Sequence, residues 1–272
     1  MPELANLGER FRDLGTMDAL GYRDSGLHRL DPRAKVLATA AFVVAVSSYG
    51  RYEVSGLLPY TIFPVSLAVL GDVPWSYLLK RIALALPFVL VLGAFNPLLD
   101  RVVLLYVGSM AITGGWVSFL SMALKLVLTV ASAVVLVAIT SMDGVCQALE
   151  RLGLPQVFVV QIGFLHRFIF VLAEDAGRML RARELRANGH KLSHQEFAPL
   201  AGHLLLRTWD RAQRIHQAML ARSFEGHFHV LRRSSFGSRD ALFLLGWCTV
   251  LLVLRFNNLP MRLEALFSGG LR

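Results

Sequence analysis

The sequence predicts an all-α integral membrane protein of about five transmembrane helices, with a polar helical block on one side of the bilayer. Three observations carry that prediction. Hydrophobic residues make up 55% of the 272 and charged residues only 17%, with a mean hydropathy of +0.53; soluble domains carry nearer ~25% charged. The apolar residues are gathered into long runs without charge, as bilayer spans require. The basic residues are gathered too: residues 174–239 hold twelve basic and six acidic side chains, so this stretch supplies +6 of the net +9. In a membrane chain lysine and arginine accumulate in cytoplasmic loops. That reading of the block comes before an acidic protein groove, anionic lipid or nucleic acid.

Taken in order, residues 1–33 form a cytoplasmic N-terminal segment. They alternate charges of both signs without an apolar core or a small-residue cleavage site, so no signal peptide is expected. Residues 34–141 form a bundle of about four spans. Asp31 can cap a helix and Pro32 suits its first turn, which opens the first span over 34–48. After Tyr49-Gly50-Arg51-Tyr52, residues 54–70 make the second. Pro59 and Pro64 are tolerated there where neighbours satisfy the freed carbonyls. Gly71-Asp72-Val73-Pro74 breaks it. Residues 75–81 are amphipathic and expected at the interface, anchored by Lys80 and Arg81. The third span is 82–99, interrupted at Pro87 and at Asn96-Pro97.

Residues 102–112 would reach only ~17 Å as a helix against a ~30 Å hydrocarbon core, which predicts a re-entrant or interfacial segment. Gly114-Gly115 ends it, and 116–140 is the fourth span. Lys125 lies well inside this span. An ionisable group at that depth is a candidate for function, but snorkelling or pairing with a neighbouring helix is the commoner role.

Residues 142–239 form the cytoplasmic and interfacial block. Ser141-Met142-Asp143 starts a short amphipathic helix that closes at Arg151-Leu152-Gly153-Leu154-Pro155. Residues 155–172 are apolar, yet Gln161, His166 and Arg167 favour a helix lying at the interface or packed under the bundle. Charge placement agrees. With four spans before Asp143 and no crossing at 155–172, Arg10, Arg12, Arg23, Arg29, Arg33, Lys35, Lys80, Arg81 and the whole basic block share one side. Of the basic residues before the last span, Arg51 and Arg101 are left across the bilayer. Residues 240–272 hold the last span, 241–256, and a tail.

Inside the basic block, Met179-Leu180-Arg181-Ala182-Arg183-Glu184-Leu185-Arg186-Ala187-Asn188-Gly189 and Gln217-Ala218-Met219-Leu220-Ala221-Arg222-Ser223-Phe224-Glu225-Gly226 each read as a helix end. Both carry arginines behind alanines and a glycine at the stop. If residues 204–223 form one helix, Arg207, Arg211, Arg214 and Arg222 fall in a stripe ~80° wide. Leu205, Trp209, Ala212, His216 and Met219 fall opposite. The apolar face is then expected to pack on the protein and the arginines to point outward. A small residue before the arginine, at Ala182-Arg183 and Ala221-Arg222, lets a helix end seat in a groove while the guanidinium fork meets a carboxylate.

Other chemistry is poorly represented. Six of eight histidines (His190, His194, His203, His216, His227, His229) lie in the block. His190 with His194, or His227 with His229, could present imidazole pairs. That admits a competing class, a membrane metal sensor or metal-dependent enzyme. No carboxylate or cysteine sits at matching spacing, however, and surface histidines are the expectation. There is no Gly-x-x-x-x-Gly-Lys-Ser/Thr loop, so any ATP hydrolysis must come from a partner. No nucleophile triad appears, Cys146 and Cys248 form no framework, and the aromatics are not interleaved with the basic residues as nucleic-acid binding needs. No catalytic residue, metal ligand or cofactor is assigned.

The paired ends Ala182-Arg183-Glu184 and Ala221-Arg222-Ser223 resemble the two signature motifs of the transmembrane T component of energy-coupling factor (ECF) transporters. Leu30-Asp31-Pro32-Arg33-Ala34-Lys35 and Leu149-Glu150-Arg151-Leu152-Gly153-Leu154-Pro155 are similar to other stretches of that family. Leu27-His28-Arg29-Leu30 before the proline is most similar to its CbiQ branch, which serves cobalt uptake. The resemblance implies a non-catalytic scaffold in the inner (cytoplasmic) membrane, carrying cytoplasmic coupling helices. Its partners would be two ATP-binding ATPase subunits, a substrate-capturing membrane subunit, a candidate small accessory membrane subunit and the lipid bilayer. Each Ala-Arg-X end would dock in one ATPase, with Arg207, Arg211 and Arg214 as a supporting basic face. Cobalt is the cargo the resemblance favours, with nickel or a vitamin as alternatives. Glu184 replaces the commoner glycine of the first motif, which leaves Arg183 and Arg186 both as candidates for its docking arginine.

Overall fold

The computed structural model describes residues 26–93, 95–96, 103–107, 110–186, 194–224, 226 and 236–256. The chain divides into two compact units, one drawn from Leu20–Ser141 with Ser234–Arg272 and the other built on Met142–Arg233. Most of the predicted N-terminal segment and the predicted tail lie outside the described residues.

The first unit is a helical bundle whose chain ends are tied by side chains. Its first helix, α1 (Pro32–Ser47), starts as predicted: Pro32 occupies the first turn and the Asp31 carboxylate accepts from the Arg33 N–H at 2.9 Å. Asp240, near the start of the last helix, adds a second tie. One of its oxygens accepts from the Asp31 N–H at 2.7 Å and the other from the Gly237 N–H at 2.8 Å. One buried carboxylate therefore satisfies backbone amides at the beginnings of two helices, where the helix pattern itself leaves donors without partners.

The second predicted span is a 3-10 helix (Ser55–Thr61) followed by α2 (Ile62–Leu70). Pro59 inside the 3-10 turn lacks a donor, so the tighter helix sits where an α-helix would lose bonds. At about 2.0 Å per residue in the 3-10 part and 1.5 Å in the rest, the pair reaches ~27 Å, close to the bilayer core despite its shortness. Val73 N–H donates to Ala68 O at 3.0 Å and Asp72, at φ 51°, donates to Val69 O at 3.3 Å. This is a left-handed helix stop, with Pro74 just beyond it. At Gly71 any Cβ would come within 2.5 Å of the Ile139 side chain.

Next comes α3 (Trp75–Gly93), in which residues 75–81 are the first two turns of one continuous helix. The predicted separate interfacial piece is absent because nothing in Leu79-Lys80-Arg81-Ile82 breaks an α-helix. Residues 102–112 also differ from expectation. Strands β1 (Val103–Val107) and β2 (Met110–Thr113) pair antiparallel, Val107 opposite Met110 and Tyr106 opposite Ala111. A run rich in valine, leucine, isoleucine, tyrosine and threonine suits a strand as well as a membrane segment, and Gly108-Ser109 between the strands is a pair favoured in two-residue hairpin links.

The long helix α4 (Gly114–Arg151) breaks where the sequence predicts, at Ser141 (φ 60°, ψ 161°). That backbone region is nearly reserved for glycine, and a serine there costs ~1–3 kcal/mol. A broken helix leaves carbonyls unsatisfied, and the buried Lys35 ammonium donates to Ile139 O at 3.1 Å. Lys125 does comparable work at the other end of α1: its ammonium donates to Tyr49 O at 2.6 Å and Gly50 O at 3.3 Å. Arg255, in α7 (Ser238–Phe256), donates to Ser48 O at 3.1 Å and lies 4.3 Å from the Tyr49 ring centre. Cations at a helix C-terminus are favoured by its negative end, so Lys125 has the pairing role. The core between these ends is aromatic and aliphatic. Phe42 stacks on Phe63 at 4.5 Å, Phe63 meets Trp247 edge-on at 4.8 Å, and Tyr60 OH donates to Leu251 O at 3.2 Å.

In the second unit, α4 ends as predicted at Gly153 (φ 98°), with Gly153 N–H donating to Glu150 O and Leu154 N–H to Leu149 O, both at 3.1 Å, before Pro155. Helix α5 (Gln156–Arg186) follows, 31 residues without a break. Residues 155–172 are thus the first half of a ~46 Å rod and not a separate interfacial helix. Among the described residues α4 and α5 are long and apolar enough to cross a membrane. Helix α6 (His194–Ala221) runs back along α5. Apart from the small hairpin, the protein is the helical membrane protein that the sequence predicts.

Candidate docking site

Both predicted helix ends are helix ends. Helix α5 finishes at Arg186, and its last turn holds Arg183 and Arg186. Asn188 and Gly189 lie outside the described residues. Helix α6 finishes at Ala221, with Arg222 as the next residue. Ser223 adopts φ 54° and donates to Leu220 O at 3.0 Å, while Phe224 N–H reaches back to Met219 O at 3.0 Å. This left-handed stop turns the chain at Ser223, three residues before the predicted Gly226, because a serine can take the left-handed conformation at modest cost when two carbonyls are satisfied by it. Ala221, Arg222 and Ser223 are all exposed.

The first motif is less open. Arg183 is only 14% exposed and pairs with Glu196 of α6. Arg186 is exposed, as is Ala182, and Glu184 is half-buried. The structure therefore separates the two candidate arginines: Arg183 is a clasp between α5 and α6, and Arg186 is presented at the tip.

Farther along, Asp175 accepts from Arg178 at 2.5 Å and from Arg211 of α6 at 2.6 Å. It lies in the polar half of α5, beyond the apolar stretch. The Arg178 hydrogen bond, aided by the charges of Arg178 and Arg211, holds its carboxyl below the usual carboxylate range. Sequence reasoning missed Asp175 and Glu196 as partners, although acidic residues inside a basic block are the natural signal for internal pairs.

The predicted facing of α6 needs correcting. Its apolar side does not pack on the protein: Leu205 is 69% and Trp209 65% exposed. Arg211, assigned to the outward stripe, turns to α5. The residues that meet α5 follow an i+4 row, with Arg207, Arg211, Ile215 and Met219 all lining the space between the helices. Such a row drifts around a helix and is how crossing helices pack. It cuts from the basic stripe into the apolar face, leaving parts of both outside. Arg207, Arg214 and Arg222 keep the exposure expected of the stripe.

The tips are far apart. Arg183 is anchored to Glu196 near the start of α6, whereas Arg222 follows its end, 26 residues on, or ~39 Å at 1.5 Å per residue. Of the histidines proposed as imidazole pairs, His190, His227 and His229 lie outside the described residues. No group of three or more histidine, cysteine or acidic side chains able to hold a metal occurs among the described residues.

Comparison with known proteins now bears on this arrangement. An uncharacterised protein of Methanocaldococcus jannaschii is 27% identical over 235 residues, 82% of this chain and 80% of that one. The energy-coupling factor transporter transmembrane protein EcfT of Clostridium kluyveri is 24% identical over 253 residues, 85% of this chain and 91% of its own. EcfT of Bacillus subtilis is 24% identical over 216 residues, 74% of this chain and 81% of its own. The family model for CbiQ, cobalt transport protein, matches residues 23–231, which takes in α1 to α4 of the bundle, the break at Ser141 and both arginine-bearing helix ends. With the match covering most of the chain, the protein belongs to the CbiQ family and is a CbiQ-like T component of energy-coupling factor transporters.

Proposed function

We infer that the chain is the non-catalytic coupling subunit of an ATP-driven importer, gripped at two points by two ATPase subunits on the cytoplasmic side. The separation of the helix tips is the observation that carries this reading. Ends ~39 Å apart along one helix are too far for one groove and suit two, one per ATPase. Arg186 with Ala182 and Glu184 serves the first contact, and Arg222 with Ala221 and Ser223 the second. Arg207, Arg211 and Arg214 support the intervening face, Arg211 from within the α5–α6 pair. Closure of the ATPases on ATP moves the two tips, and the stiff α5–α6 pair carries the motion onward.

The exposed apolar side of that pair, with Leu205 and Trp209, supports its use as the contact for a substrate-capturing membrane subunit, since large exposed apolar patches mark interaction surfaces. In the proposed topology four segments before Ser141 cross, α5 does not and α7 does, so that the N-terminus and the block 142–239 share the cytoplasmic side, in keeping with the positive-inside bias. The membrane is then the cell's inner (cytoplasmic) membrane. Cobalt is the proposed cargo, on the family's description alone.

Arg222→Ala and Arg186→Ala are each expected to lose ATPase attachment and transport while leaving the protein inserted. An arginine that loses its buried carboxylate partner typically costs ~3–5 kcal/mol, enough to abolish a docking contact. Detergent pull-down of the ATPases at undiminished yield from Arg222→Ala would overturn the reading. Uptake of cobalt against nickel in the assembled transporter tests the cargo.

A further inference from the structure

We propose that the α5–α6 pair binds one anionic phospholipid, its phosphate held beside Arg207 and His203 and an acyl chain seated against Phe164 and Phe168. This goes beyond ATPase docking and rests on two cavities lying in sequence along the same helix pair. The first has a volume of about 640 Å3 and is lined by Arg186, His203 and Arg207 among others. Arg178, also on its wall, is bound to Glu174 and Asp175, and Arg183 to Glu196. Arg186, His203 and Arg207 have no acidic partner among the described residues. His203 and Arg207 stand one turn apart on one face of α6, a spacing that lets both reach a single anion. Guanidinium groups suit phosphate oxygens because the planar fork donates two parallel hydrogen bonds.

The second cavity follows directly. Beyond the Asp175–Arg211 bridge, a space of about 240 Å3 is lined by Phe164, Phe168, Ile215 and Met219, with Gln161 and Thr208 at its polar points. From Arg207 to Ile215 is eight residues, or ~12 Å of helix, a reach that an acyl chain spans from its headgroup. A free phosphate would need only the first cavity and an apolar ligand only the second. A phospholipid is the class whose charge and shape account for both. The surroundings agree: Val157, Phe158 and Leu165 of α5 are exposed, as on helices that lie at a membrane surface with basic groups toward the headgroups.

The test uses the complete transporter in nanodiscs of phosphatidylcholine with phosphatidylglycerol admixed, released and weighed by native mass spectrometry. Wild type is expected to keep one phosphatidylglycerol on the T subunit. His203→Ala should keep about tenfold less, the scale of losing one hydrogen bond to a charged group. Arg186 and Arg207 are left intact because both also serve docking. Ile215→Trp, which fills the apolar cavity, should lose the lipid with the headgroup partners in place. Unchanged phosphatidylglycerol in His203→Ala would overturn the proposal. So would displacement of the lipid by inorganic phosphate at equal concentration, which would mark a free-anion site. Release of the ATPases from His203→Ala would assign the cavity to docking instead, while Arg222→Ala tests docking separately.

Discussion

The two units of this protein solve the same problem of placing polar groups in opposite ways. In the bundle the aromatic core is central, and four charged side chains act at helix ends or at a helix break, where each closes a specific gap. Asp240 holds the starts of α1 and α7, Lys35 takes a carbonyl at the break in α4, and Lys125 and Arg255 take the carbonyls at the end of α1. In the α5–α6 pair the order is reversed. Ion pairs lie between the helices, at Arg183–Glu196 and Asp175–Arg211, and leucines and a tryptophan lie outside. A unit that places ion pairs between its helices and leaves leucines and a tryptophan exposed is unfinished by itself, because exposed apolar area is favourable only when something else covers it. The bundle is built to be complete within lipid, and the pair is built to be completed by partners.

The contrast breaks most readily at Asp240. Replacing it with alanine removes the acceptor for the buried N–H of Asp31, an orphan that costs ~1–3 kcal/mol, and for the partly exposed N–H of Gly237, worth nearer ~1 kcal/mol. Asp240→Ala is therefore expected to lower stability by ~2–4 kcal/mol. Asp240→Asn, which keeps one carbonyl acceptor, should lose about half as much. Thermal unfolding of the purified chain in detergent measures both. An unaltered midpoint for the alanine variant would mean that the bundle does not depend on its end ties.

The second test runs the other way. Leu205→Ser with Trp209→Ser removes apolar groups that touch little of this chain, so unfolding should shift by less than ~0.5 kcal/mol, as for ordinary surface changes. If these side chains are covered by the substrate-capturing subunit, co-purification of that subunit should fall by tenfold or more, as when a buried aromatic anchor is truncated. A large stability loss without loss of the partner would show that the face packs on its own chain after all.

What could be read from the sequence follows the same division. Starts and stops written in cap and turn residues were legible: Asp31-Pro32 starts α1, Ser141-Met142-Asp143 marks the break in α4, and Gly153-Leu154-Pro155 ends it. Hydropathy boundaries were less dependable. The polar turn at Glu174 reads as a change of segment, yet α5 continues through it, since glutamate, arginine and leucine all propagate a helix. Residues 102–112 have the composition of both a strand and a short membrane segment, and only Gly108-Ser109 tips the balance. The facing of α6 was legible as two opposed stripes. Which stripe turns inward depends on the medium, and assigning the apolar one to the interior assumes water outside. Near a bilayer that assumption reverses. The candidate site was half-legible: alanine and arginine at both tips could be seen, but not that Arg183 pairs with Glu196, thirteen residues away, while Arg186 stays exposed.

The smallest effect concerns the internal charges, and its sign can be worked out. Arg178 and Arg211 hold Asp175 below the ordinary carboxylate value of about 3.9. The stabilisation from this pairing is thus fully present above that value and is lost only as pH falls through the depressed folded-state value. Between pH 8 and 5 Asp175 itself should not gain a proton, and its bridge to Arg211 should hold. Asp175→Asn imitates the protonated state at any pH. It should loosen the middle of α6 by no more than ~1 kcal/mol, the scale of a partly exposed ion pair, seen as faster amide exchange around Arg211 with the bundle unchanged. Exchange that accelerates between pH 8 and 5 beyond the intrinsic chemical dependence, or an effect of Asp175→Asn as large as that of Asp240→Ala, would contradict the distinction. Charges between α5 and α6 would then be holding the fold together instead of setting how two stiff helices cross.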